Sequence, residues 1–192
     1  MSHPGRSVLF LCLALFSSAE LVGATLQIQV YDYALIGPAS LGKIVSELEG
    51  ILRHTGASVQ VRVCRGGVAV LCGEPDGPVI RILAGDAKTV KNVRRPPLGQ
   101  SFATQTGGSY ATIFVGAVQD KAAAVGAPWV VVLAHAAAHE TGHLLLGSRA
   151  HSQSGLMREI WDRKDYEAMI KRQLQFTREQ ARKLASQYHD QP

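Results

Sequence analysis

From Pro128 to Leu146 the chain is almost continuously apolar, and the few interruptions include His135, His139, Glu140 and His143. A stretch of helical length that is hydrophobic on nearly every side must lie inside the core. Pro128 suits the first turn of such a helix, and Gly147 suits the position just past its end. A carboxylate carried into that interior costs several kcal/mol unless it finds a partner. Any fold that this chain adopts therefore has to bury this helix and give Glu140 a purpose.

Within the helix stands His139-Glu140-Thr141-Gly142-His143. Residues four apart sit one above the other, about 6 Å along the axis. Two imidazoles so placed can converge on one tetrahedral zinc ion. Glu140 is turned about 100° around the axis from His139, so it flanks the metal's open position rather than ligating it. There it would take a proton from an attacking water and later pass it to the leaving group. His135 lies one turn earlier and extends the histidine stripe, but His135 and His143 are about 12 Å apart along the axis and cannot share one ion. The earlier pair encloses no acid. The later pair does, and His135 is read as a core histidine or a neighbour of the ligands.

A further histidine, His151, follows Gly147 after a turn, and Met157 follows that in Ser154-Gly155-Leu156-Met157. The stretch HETGHLLLGSRAHSQSGLM resembles the zincin metallopeptidases, specifically the metzincin group, whose pattern is HExxHxxGxxH and a downstream turn containing methionine. The resemblance implies a zincin-like α+β fold, with a small mixed sheet packed on a buried active-site helix and helices at the C-terminus. It implies His139, His143 and His151 as zinc ligands, Glu140 as the catalytic acid/base, Gly147 as the helix-ending turn and Met157 beneath the metal. Gly147 comes one residue later and His151 two residues later than in the family, which leaves Glu159, Asp162 and Glu167 as rival third ligands. The family also places an edge strand along its substrate cleft, and Tyr110–Val118 is the candidate here for pairing with a peptide by main-chain hydrogen bonds.

Elsewhere the periodicity is that of a single α+β domain. Leu26–Tyr33 alternates as a strand, Ser40–His54 carries apolar residues at helical spacing, and Ala57–Cys64 alternates again. Val79–Leu83 and Tyr110–Val118 read as two more strands. The intervening Gly-, Pro-, Ser- and Thr-rich residues 86–109 read as a long surface connection. Two polar helices are expected over Asp162–Gln175 and Thr177–Gln187, the second opened by the capping-box pair Thr177 and Gln180. His54 and His189 are expected at the surface.

The chain has 192 residues, 46% of them hydrophobic and 18% charged, with a net charge of +5. That balance excludes a disordered tail and a membrane bundle. The positive charges are scattered apart from Lys91-Asn92-Val93-Arg94-Arg95, so no nucleic-acid partner is expected. Arg6, the apolar run Val8–Phe16 and the small residues Val22-Gly23-Ala24 have the order of a secretory signal peptide over residues 1–24, with the working domain over residues 25–192. Export to the extracellular space or periplasm, without stable membrane insertion after cleavage, follows from that reading. The remaining cysteines, Cys64 and Cys72, would then form a disulfide. The expected activity is that of a secreted zinc metallopeptidase acting on a peptide or protein. The alternatives are an inactive zinc-binding interaction domain of the same fold and an amidase of cell-wall peptides.

Overall fold

The computed structural model describes residues 24–65, 72–85, 97–103 and 109–189. The proposed signal segment before Ala24 and the basic cluster at 91–95 lie outside those residues.

Five strands form one mixed sheet: β1 Leu26–Asp32, β2 Val59–Arg65, β3 Val79–Leu83, β4 Gly99–Ala103 and β5 Ser109–Phe114. Their order is β2-β1-β3-β5-β4. The first four strands in that order run parallel, and β4 returns antiparallel along β5 at the edge. Helix α1 (Pro38–Arg53) makes the crossover from β1 to its parallel neighbour β2. Pro38 sits in the first turn, where its missing N–H is no loss. The helix buries Leu41, Ile44, Leu48, Ile51 and Leu52, the stripe expected of its spacing. Opposite them, Leu26, Ile28, Val30, Ile80, Ile82 and Ile113 point from the sheet into the same core.

The α+β architecture expected from the sequence is the one observed, with a mixed sheet packed on a buried helix and helices at the C-terminus. Helix α3 (Trp129–Leu146) is the buried one, with every residue from Val132 to Gly142 inside. It lies against α1, β4, β5 and the helix α2 (Val115–Val125), and it also touches α4 (Arg163–Ile170) and α5 (Arg178–His189). Being enclosed from so many sides is why the segment has no polar face. Ala134, Ala136, Ala137 and Ala138 let its neighbours approach closely, and alanine also favours the helix itself. No described helix is long and apolar enough to cross a membrane.

Two expectations are corrected. Tyr110–Val118 is a strand only as far as Phe114, and Val115 begins α2, which ends on the left-handed Gly126 (φ 68°). An unbroken apolar run cannot say where a buried strand gives way to a buried helix. Nor is that strand at the edge, because β5 is paired on both sides. The edge strand is β4, inside the region read as a surface connection. Gly99–Ala103 contains no β-branched residue, and its strand character comes from pairing with β5 rather than from propensity.

Of the two C-terminal helices, α4 stops five residues short of the expected Gln175 and α5 runs two residues past the expected Gln187. Asp162 accepts hydrogen bonds from the N–H groups of Lys164 and Asp165, and the Asp165 carboxylate accepts from the N–H of Asp162. Thr177 and Gln180 form the anticipated reciprocal pair at the start of α5. Cys64 and Cys72 are joined in a disulfide.

Candidate metal centre

His139 and His143 lie one turn apart on α3, with their Nε2 atoms 3.2 Å from each other. His151 arrives from the following loop, its Nε2 3.1 Å from that of His143. The loop is pinned on both sides of His151. The Ser152 N–H donates to the Met157 carbonyl at 2.9 Å, and Gln180 donates to the Ala150 carbonyl at 2.9 Å. Gly147, at φ 99°, allows the chain to leave the helix and turn back. The turn between the helix and His151 is closed by the Ala150 N–H on the Gly147 carbonyl.

The three histidines are the one group of three or more metal-capable side chains with converging donor atoms among the described residues, all within 4.8 Å. Glu159, Asp162 and Glu167 do not join them. Glu159 is exposed, Asp162 caps α4 and pairs with Arg158 at 2.9 Å, and Glu167 pairs with Arg163 at 3.1 Å. His135 is fully buried, with Nδ1 2.8 Å from the Val131 carbonyl, and stays outside the cluster.

Hydrogen bonding decides which nitrogens face the centre. The Leu156 carbonyl lies 2.9 Å from His139 Nδ1, and a carbonyl can only accept. Nδ1 therefore carries the proton and Nε2 presents a lone pair. The Gly147 carbonyl orients His143 in the same sense at 3.4 Å. Burial pushes His139 down to about 4, against the Leu156 bond and helped by the neighbouring His143 and His151. Burial also lowers His143, with His151 adding to the effect and the Gly147 carbonyl opposing it. The bare Nε2 atoms of His139 and His143, 3.2 Å apart, repel one another unless a cation sits between them. Donors on a tetrahedral ion with bonds of about 2.0–2.1 Å lie roughly 3.3 Å apart, close to the separations observed. These residues could hold a metal ion.

The Leu156 carbonyl also accepts from Trp161 Nε1 at 3.0 Å, and the Trp161 ring stands edge-on to His139 with centroids 5.5 Å apart. Trp161 thus steadies the group that orients His139. No sequence signal pointed to it, since a lone tryptophan after an irregular loop carries no spacing. Met157 is fully buried and lies directly against Gly142, where even a methyl group would collide with its sulfur. The glycine between the two helical histidines therefore admits the methionine beneath them.

Glu140 is 8% exposed and its side chain lies against β4. A Cβ built at Gly99 would come within 2.8 Å of Glu140 Cγ and 3.1 Å of its Oε1. Burial lifts the carboxyl to about 7, while a hydrogen bond from the Ser101 side chain pulls the other way. Gly99 and Ser101 went unnoticed in the sequence because their strand did.

No family model matches the chain, and no curated protein matches it. Among solved structures it is similar to metalloproteinase-II from Bacteroides fragilis, with a TM-score of 0.46 and 14% identity. The likeness covers 80% of this chain and 54% of that one, so the chain spans about half the length of the structure it matches. A likeness of that size bears on neither activity nor ligand.

Proposed function

We propose that this chain is an exported zinc-dependent hydrolase that cleaves peptide bonds, with His139, His143 and His151 as the metal ligands and Glu140 as the acid/base. The observation that carries the reading is the convergence of three histidine Nε2 atoms at one end of a helix that also carries a buried carboxyl, raised by burial to about 7. An all-imidazole donor set at tetrahedral spacing suits zinc. When bound, zinc supplies Lewis acidity, polarising a carbonyl and lowering the pKa of a water towards about 7.

The protein's own groups do the rest. A Glu140 oxygen takes the proton of a water as the water oxygen bonds to the substrate carbonyl carbon. The same oxygen returns the proton to the amide nitrogen as the carbon–nitrogen bond breaks, leaving a free carboxyl and a free amine. In the metal-free protein burial raises this carboxyl to about 7, which favours its holding the proton between the two transfers. β4 offers its outer edge to an extended peptide, which would add as a further strand and lie alongside α3. The Cys64–Cys72 disulfide supports an oxidising compartment.

The test is metal analysis of the purified protein together with cleavage of a peptide library by wild type, Glu140→Ala and His143→Ala. One zinc per chain is expected in the wild type and in Glu140→Ala, and cleavage only in the wild type. Thermal unfolding adds a second measure, since zinc at a hundred times its Kd stabilises by about 2.7 kcal/mol. Cleavage that persists in Glu140→Ala would remove the mechanism.

A further inference from the structure

We infer that the inner face of β4 is a built seat for the Glu140 carboxylate, with Gly99 supplying the space and Ser101 the hydrogen bond. Both are positioning residues, and the inference rests on the hydrolase reading of the site.

Side chains two apart on a strand project to the same face. Gly99 is paired with Ile113 and Ser101 with Ala111, and both partners are fully buried towards α3. The face therefore presents Glu140 with a gap and then, one step along, a hydroxyl. The gap is tight. A methyl group at Gly99 would stand 2.7 Å from Ile113 Cδ1 as well as 2.8 Å from Glu140 Cγ, so the glutamate stem lies flat on bare backbone. The Ser101 hydroxyl donates to the carboxylate from the same face. A glutamate on an isolated helix samples several rotamers, and its carboxylate would wander over several ångströms. Here the strand removes that freedom, so the group that moves the proton is held in one place.

The arrangement has a second consequence. β4 is the edge strand to which a peptide would add, so one strand both receives the substrate backbone and aligns the carboxylate. A change at Gly99 or Ser101 should therefore act on turnover rather than on metal loading, because neither residue is one of the converging donors.

The first test needs no activity. In metal-free protein, a double-mutant cycle of Ser101→Ala and Glu140→Ala is read by urea unfolding. Ser101→Ala should raise the unfolding constant about fivefold in the wild-type background and leave it unchanged in the Glu140→Ala background. Equal effects in both backgrounds would overturn the seat. Gly99→Ala should abolish the coupling by pushing the carboxylate off the strand. The second test is kinetic. Ser101→Ala should reduce kcat about tenfold with KM and zinc content unchanged, and Ser101→Thr should restore it. Full kcat in Ser101→Ala overturns the positioning role even if peptides are cleaved. A protein that shows the coupling but cleaves nothing retains the seat and loses the hydrolase reading.

Discussion

Gly142→Ala is the substitution on which helix propensity and packing disagree in sign. Gly142 sits well inside α3, where exchanging glycine for alanine at an exposed site stabilises by about 1 kcal/mol. Here the new methyl group would run into the sulfur of Met157 and stand 3.0 Å from its Cε and 2.9 Å from Phe176 Cε1. Met157 is fully buried and Phe176 8% exposed, so neither can swing into solvent. Overpacking of this kind costs about 1–3 kcal/mol. Taking about 2 kcal/mol for the collision and setting the propensity gain against it leaves a net loss of about 1 kcal/mol. For a chain of this size that lowers the thermal midpoint by about 2–4 °C. The damage should also reach the metal. The Met157 carbonyl holds the Ser152 N–H beside His151, and the adjacent Leu156 carbonyl orients His139. Zinc affinity should fall about tenfold, the size of loss seen when groups that orient metal ligands are disturbed. Thermal unfolding of metal-free protein and competition with a chromogenic chelator measure the two effects. A stabilised Gly142→Ala protein with unchanged affinity would refute the packing argument and leave propensity as the governing term.

Two further outcomes follow from the site. Trp161→Phe removes the Nε1 donor to the Leu156 carbonyl and keeps most of the ring, so zinc should bind about tenfold more weakly while the fold is retained, as circular dichroism and chelator competition would show. The pH dependence of the metal-free protein turns on two opposed groups. The Glu140 carboxyl is raised by burial to about 7, so its contribution is fully present below about 4.5 and is lost as pH rises through 7. His139 is depressed to about 4, so its contribution is present above about 6.5 and is lost as pH falls through 4. Glu140→Gln removes the first effect and leaves the second. Relative to wild type the variant should gain about 3 kcal/mol between pH 4.5 and 7 in urea unfolding. A constant difference across that range would contradict the burial of the carboxylate.

The histidine pair was legible because its geometry is local. A spacing of four along a helix places His139 and His143 on one face whatever surrounds them, and the unbroken apolar run showed that this helix is buried. The same local logic announced the cap at Thr177 and the chain reversal at Gly147. His151 was named from resemblance, and nothing within the chain's short-range spacing separated it from Glu159, Asp162 or Glu167. That choice belongs to the loop, whose path is decided by the Ser152–Met157 and Gln180–Ala150 hydrogen bonds across 5 and 30 positions of sequence. The strand beneath Glu140 was the larger omission. Gly99–Ala103 has the composition of a connection, and it becomes a strand because β5 leaves an edge for it to pair with. Spacing along one element is written into the order of residues, since the backbone supplies the geometry. Partners brought from distant parts of the chain are selected by which surfaces remain to be covered, and that is settled when the whole domain packs.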